Sequence, residues 1–342
     1  MNEQTYALYT MDNSPYSDKI RALLRYKRVP FVEHTETMET RFTVLQARTG
    51  KTMVPVLISP EDEAMNDSTA IAAALEKRHP TPATRWTDPP IDTLAMLLED
   101  YADEWLVRVM LASRWYHAAD AAQNAAIIAN GMTHALYGID FQRAAREFPP
   151  GIISTVPKMG ATPENAEGWY AMVPRVLAAM AVVLSKNDYL TGSAPHLADF
   201  AFYGMLNQIR RDPTGFGWIT SGPKEVLDWA TRLETACKEG GTAKAAGEPL
   251  RDVTLLAPLV REAMETYFRM SVANARALDA GGKAPVRAKL GGGFAFEAPP
   301  AKYNRKLLDA NLAAVDALYT AGGRLPVAVE SLVLGEIRAD SP

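Results

Sequence analysis

Cysteine is almost absent from this chain: Cys237 is the single one in 342 residues. One thiol can form neither an internal disulfide nor a cysteine zinc cluster, and such scarcity fits a reducing compartment. Histidine is also scarce. The five, His34, His79, His117, His134 and His196, stand at no metal-ligand spacing, so no metal is expected. Net charge is small, 36 Lys and Arg against 40 Asp and Glu for −4 at pH 7, which excludes the strongly basic balance of a nucleic-acid binder. No uninterrupted apolar run nears the roughly 18 residues of a membrane span. The longest, Val176 to Leu184, stops between Arg175 and Ser185. The opening Met-Asn-Glu-Gln lacks basic residues, and Thr5 to Thr10 behind it is too short for a signal-peptide core. The expectation is a cytoplasmic protein without nucleic-acid or membrane partners.

Two familiar motifs fail. Gly50-Lys51-Thr52 ends like a phosphate-binding loop, but Leu45 stands where that loop needs glycine and a strand follows instead of a helix. No serine sits in a Gly-x-Ser-x-Gly elbow. What remains is ample core material, 48% hydrophobic against 22% charged residues, in a chain long enough for two domains and an appendage.

The first eighty residues alternate strand and helix signals. Tyr6 to Tyr9 reads as a buried strand. Ser14-Pro15 opens a helix, serine as cap and proline at the first position, and Ile20, Leu23, Leu24 and Tyr26 follow at helical spacing. Val29 to Val32 and Val54 to Ile58 read as strands, with a weak helix over Phe42 to Ala47 between them. Glu61 to Glu63 marks a hairpin tip before a short fourth strand, and Asp67-Ser68 caps a helix through Leu75. Four prolines between His79 and Pro90 make a linker. From Ile91 to about residue 237 every periodic segment is helical, led by the stripe Leu94, Leu97, Leu98, Tyr101, Trp105 and Val109. Beyond Gly240-Gly241 the spacing predicts a helix near 256–279, a hairpin in which Gly291-Gly292-Gly293 joins Val286–Leu290 to Phe294–Glu297, and a last helix from Tyr303 to Leu318.

Three blocks occur in order: Ser14-Pro15-Tyr16-Ser17-Asp18-Lys19-Ile20-Arg21, then Val54-Pro55-Val56-Leu57, then Asn66-Asp67-Ser68-Thr69-Ala70-Ile71. Together they resemble the glutathione transferase family. The first is similar to the active-site turn of its serine classes, zeta and tau, and of the cysteine-using omega class. The second resembles the cis-proline strand of thioredoxin-like domains, and the third the family's Glu/Asp-Ser-x-Ala-Ile segment. Leu97 to Glu104 resembles the first helix of the family's C-terminal domain, and Tyr189 to Gly192 with Leu197 to Phe200 its buried sixth helix. The resemblance spans roughly residues 5 to 237. It implies an α/β thioredoxin-like N-terminal domain (1–80), a linker (81–90), an all-α C-terminal domain (91–240), and an added helix–hairpin–helix extension (241–342).

The resemblance also implies a chemistry. Glutathione, a co-substrate, carries two carboxylates and a thiol that is mostly protonated near neutral pH, so the protein must favour the thiolate. Ser14, at a helix N-terminus, offers a hydroxyl donor beside the positive end of the helix dipole; Ser17 is the alternative, and Tyr9 a further donor in other classes. Each also has a plain structural reading, as cap, first-turn residue and strand packing. Ser68 would meet a carboxylate, Asp67 the α-ammonium group, Lys51 the glycine carboxylate, and Val54 beside a cis Pro55 the cysteinyl backbone. A hydrophobic electrophile would sit between the domains near Tyr101, Trp105, Arg108 and Tyr116, although an aromatic stripe at this spacing is more often core. Ser14 stands where a disulfide reductase needs cysteine, which argues against that activity.

Two departures stand out. His196 replaces the Ser or Thr that opens the sixth helix, leaving its capping box incomplete. The chain also runs about a hundred residues past Cys237, with thirteen basic against eleven acidic side chains from Lys244 onward, so the extension is expected to pack, over the electrophile pocket or merely onto the helical domain. The implied function is conjugation of glutathione, or isomerisation, dehalogenation or ether cleavage through the same sulfur, by a homodimer. The alternative is a non-catalytic binding or scaffold protein of the same fold.

Overall fold

The computed structural model describes residues 5–240 and 247–338, so Gly241 lies outside the described residues. Strand β1 (Tyr6–Thr10) buries alternate residues. It pairs in parallel with β2 (Phe31–Thr35) and antiparallel with β3 (Val56–Ile58), which pairs antiparallel with β4 (Ala64–Asn66). The sheet order is β2-β1-β3-β4. Two strands begin later than the sequence predicts, each just past a proline, Pro30 and Pro55, that has no N–H for the ladder. The weak helix is a longer helical stretch, 38–49, wound as a π-turn over Arg41–Gln46.

Helix α1 (Pro15–Tyr26) lies between the helix Ser68–Arg78 on one side and the helices Leu197–Arg211 and Lys224–Glu239 on the other. That explains why nine of its residues are buried, Asp18 and Lys19 among them. Gly204 permits the approach: a Cβ there would stand 2.4 Å from the Pro15 carbonyl oxygen.

The helical part is built on a rod of three consecutive pieces, Pro89–Tyr101, a π-wound turn Ala102–Leu106, and Val107–Tyr116. All six residues of its apolar stripe are buried. The helix Pro213–Thr220 was not legible in the sequence, because Gly215 and Gly217 interrupt its period. Gly215 is nonetheless required, since a Cβ there would meet the Ile209 carbonyl oxygen at 2.1 Å. Among the described residues one helical run, Pro163–Leu184, is long and apolar enough by composition to cross a membrane, and half of it is buried within the fold. Trp169, Met172, Val176, Leu177 and Met180 supply that core face.

The capping box at Leu197–Arg211 is complete, contrary to expectation. His196 Nδ1 accepts from the Ala198 amide at 3.4 Å, and the Asp199 carboxylate accepts from the His196 amide at 3.0 Å. An imidazole acceptor replaces the hydroxyl because its other nitrogen, Nε2, faces Asp92 Oδ1 at 2.9 Å and can carry the proton.

Extra C-terminal helices continue beyond residue 240. Ala257–Ala263, a π-turn Met264–Phe268 and Arg269–Asp279 form one rod; the hairpin β5 (Val286–Lys289) and β6 (Ala295–Ala298) follows, then Lys302–Thr320. Lys302–Thr320 is not the last helix. Val327–Ile337 comes after it, apolar on most sides and so without a readable stripe. The segment packs on Pro89–Tyr101 and Met172–Leu184. Phe294 and Phe296 dock where no Cβ intervenes: one built on Gly168 or Gly160 would lie 2.4 Å from their rings.

Its seam with the rod is titratable. Tyr267 Oη and Asn311 Nδ2 donate to Asp100 Oδ2 at 2.8 and 2.6 Å. Burial, with Glu99 and Asp103 nearby, pushes the Asp100 carboxyl up to about 7. Nearby Glu104 is pushed up to about 8, by burial and then by Asp100 and Asp103. In the unfolded chain both titrate near 4, so from there to pH 7–8 the folded state holds more protons and stability falls as pH rises. His79, depressed by burial and Lys27, acts in the opposite sense below its ordinary value. Comparing variant with parent isolates the seam. Asp100→Asn should reduce the parent's loss of unfolding free energy between pH 5 and 8 by at least about 1 kcal/mol. Parallel pH profiles in denaturant titrations would contradict this account.

Candidate functional site

The ladder row Tyr9–Val56–Asn66 sets where the site forms. Strand β1 leaves that row toward Ser14, β3 enters it from Val54-Pro55, and β4 leaves it toward Asp67-Ser68. The topology therefore gathers all three blocks at one end of the sheet.

Ser14 caps α1, its Oγ accepting from the Ser17 amide at 3.2 Å. It is half-buried, and its hydroxyl, beside the positive end of the helix, donates to none of the described residues. Ser17 is wholly buried, with its Oγ taken by the Met11 amide at 3.4 Å. The turn before Ser14 is held from the helical domain. Arg114 Nη1 donates to the Asn13 carbonyl at 2.7 Å, and Gln208 Nε2 and Arg211 Nη1 donate to the Asp12 carbonyl at 2.9 and 2.7 Å. Arg114 is itself buried against Asp212, Nε to Oδ2 at 2.9 Å. Tyr9 is half-buried and stacks on His34 at 4.9 Å.

The Val54–Pro55 peptide is cis. The Val54 amide and carbonyl hydrogen-bond no other described residue. Asp67, not Ser68, is the cap of Ser68–Arg78: at φ 76 it stands outside the helix, and its Oδ1 accepts from the Thr69 amide at 3.1 Å. Ser68 is therefore the first helical residue, buried, with its amide and hydroxyl unpaired among the described residues. Lys51 is exposed, just after the left-handed Gly50.

Sequence reasoning missed the groups behind these loops. Lys19 Nζ, buried, contacts Glu99 Oε1 at 2.5 Å and Asp103 Oδ2 at 2.6 Å, and Thr69 Oγ1 donates to Glu99 at 3.0 Å. Burial works against the Lys19 charge, but Asp103 and Glu99 outweigh it and raise its pKa. Asp103 Oδ1 is buried without a partner. The knot ties α1, Thr69 and the rod together directly behind Ser14 and Ser68.

The four aromatic and basic candidates divide. Tyr101 and Trp105 have no exposed surface. Trp105 packs against Trp169 and Phe296, ring centroids 5.0 and 6.0 Å away, so the C-terminal hairpin covers it. Tyr116 Oη donates to the Ala161 carbonyl at 2.7 Å. Of the four, Arg108 lines a cavity of about 240 Å³ shared with Glu104 and the C-terminal segment.

Two family models match the sequence: "Glutathione S-transferase, N-terminal domain" over residues 8–83, and "Glutathione S-transferase, C-terminal domain" over residues 163–232. These matches support a place in the glutathione transferase family. No curated protein matches the sequence. Among similar solved structures is a glutathione S-transferase from Methylobacterium radiotolerans in complex with glutathione sulfonate, 21% identical over 70% of this chain and 96% of that one, TM-score 0.44. The beta-etherase LigF from a Sphingobium species is 21% identical over 68% and 97%, TM-score 0.49. FzlA from C. crescentus is 20% identical over 68% and 90%, TM-score 0.45. In this fold the N-terminal thioredoxin-like domain carries the three converging blocks. The helical domain supplies the clamp on the Ser14 turn, and the extra helices beyond residue 240 close the far side of the rod.

Proposed function

We propose that the protein is a glutathione transferase of the serine type. Its Ser14 hydroxyl donates to the glutathione sulfur and favours the thiolate, which attacks a hydrophobic electrophile. The observation that carries this is the meeting at one sheet end of half-buried Ser14 with the Val54 backbone and the Ser68 amide and hydroxyl, which are unpaired among the described residues. In this reading Val54 pairs with the cysteinyl backbone as an added strand does. Ser68 takes the γ-glutamyl carboxylate at its helix N-terminus, and Asp67 takes the ammonium. Lys51 reaches the glycine carboxylate. Ser17 is the poorer donor because its hydroxyl is buried on the Met11 amide. The same reading takes the protein as a cytoplasmic homodimer.

Calorimetric titration with glutathione, followed by ultraviolet titration of the bound thiol, tests it. Expected are binding at millimolar affinity or better and a thiol pKa at least one unit below the free value. Ser68→Ala should weaken binding about 10- to 100-fold, since a hydrogen bond to a charged group contributes about 1.5–3 kcal/mol. Tight binding with an unshifted thiol would leave a binding or scaffold protein on this fold, and no binding would end the glutathione reading altogether.

A further inference from the structure

The 240 Å³ cavity is smaller than the roughly 300–1,000 Å³ of sites for drug-sized ligands and larger than the roughly 150 Å³ void that accepts benzene. It suits one ring with a short substituent. Its apolar walls include Met159, Met270, Val286 and Phe296, the last three from the C-terminal segment.

Its polar side is cationic. Arg108 is buried, and its guanidinium bonds only to backbone: Nε to the Glu104 carbonyl at 3.0 Å and Nη1 to the Met159 carbonyl at 2.7 Å. Among the described residues no carboxylate pairs with it. Buried charges are ordinarily paired, so this one lacks an anion. Lys158 adds a second positive group at the wall. Glu104, the acid of the lining, is pushed up to about 8 by burial and its acidic neighbours. Arg108 acts on it in the opposite direction, but no hydrogen bond joins the two side chains among the described residues, and the raised value favours the neutral acid, a hydrogen-bond donor. Asn274 is committed, its amide bonding the Ala301 carbonyl and amide at 2.9 and 2.7 Å.

Electrostatics links its lining to the loops described above. Tyr303 in its lining is within electrostatic reach of both Glu104 and Asp67, and Tyr16, two residues past Ser14, of Glu104 and Tyr303. A π-wound turn in the rod, Ala102–Leu106, carries Glu104, and such turns frequently occur at functional sites.

We propose that this cavity, walled by the C-terminal segment, is the second-substrate pocket and selects a single-ring apolar compound bearing a carboxylate, which Arg108 binds. The proposal rests on the transferase reading for its "second substrate" role, whereas the ligand class rests on the cavity alone.

The test uses the full chain, with and without saturating glutathione, and two probes of one shape, trans-cinnamate and its methyl ester. Trp105, beside Phe296, supplies the fluorescence signal. Cinnamate should bind at least tenfold more tightly than the ester, and Arg108→Gln should abolish that preference while Arg108→Lys keeps part of it. Ala298→Phe, which fills the cavity, should weaken cinnamate more than tenfold and leave glutathione affinity within twofold. Equal binding of acid and ester by the unaltered protein overturns the proposal without any variant. Unchanged cinnamate affinity in a folded Ala298→Phe protein overturns it too. Cinnamate binding without any glutathione binding would support the carboxylate pocket and remove its second-substrate role. Glutathione binding without cinnamate binding would sink the pocket and leave the transferase reading standing.

Discussion

Ser14→Ala is expected to lower glutathione-dependent turnover by about 10²–10³, the usual cost of removing one donor aimed at a reacting anion. The pKa of the bound thiol should climb toward its free value, while KM for glutathione changes little, because the tripeptide's carboxylates and backbone are held elsewhere. The variant also loses the α1 cap, in which Ser14 Oγ accepts from the Ser17 amide, at about 1 kcal/mol of stability. A drop in activity alone would therefore be ambiguous, and the thiol titration separates the two effects. Ser14→Thr keeps both cap and donor and should restore most of the shift. Ser17→Ala is the control: its buried hydroxyl serves the Met11 amide, so its loss should cost about 1 kcal/mol and leave the thiol pKa in place. A Ser14→Ala protein that titrates like its parent would remove the serine mechanism.

Local signals in the chain carried the architecture. The alternation around Tyr6 and Leu8, the Ser14-Pro15 helix start, the proline ahead of Val56 and the rod's apolar stripe each depend on neighbours within a few residues. For that reason they were legible without coordinates. What long-range packing decides was not. Nothing near Lys19 in the chain points to Glu99 and Asp103, some eighty residues later, which close on it. Trp105 fits a core or a pocket by spacing, and only the fold shows Phe296 of the C-terminal hairpin packed over its buried ring. His196 reads as a broken capping box because nothing local shows Asp92 beside its Nε2. The three site blocks stood out because turn chemistry is local, but the clamp that Arg114 places on the turn spans a hundred residues and left no signal.

That clamp has the largest consequence for stability. Arg114→Met should lower unfolding free energy by about 3–5 kcal/mol, the usual result of stranding one partner of a buried ion pair. Arg114 is 2% and Asp212 1% exposed at the side chain, so water cannot replace the lost guanidinium. Among the described residues Asp212 would keep Asn124 Nδ2, at 2.7 Å, as its side-chain donor, and the Asn13 carbonyl would lose Arg114. Two effects are then mixed, a stranded buried carboxylate and a released Ser14 turn, and a second substitution resolves them. Arg114→Met with Asp212→Asn removes the stranded charge yet keeps the acceptor shape toward Asn124, so much of the stability should return. The Asn13 carbonyl stays unheld in the double variant. If the clamp positions Ser14, the recovered protein should still show a weakened thiolate shift and a lower kcat at nearly unchanged glutathione affinity. Full recovery of kcat along with stability would make Arg114 a structural group only, and a single variant melting within about 1 kcal/mol of the parent would contradict the buried-pair account itself.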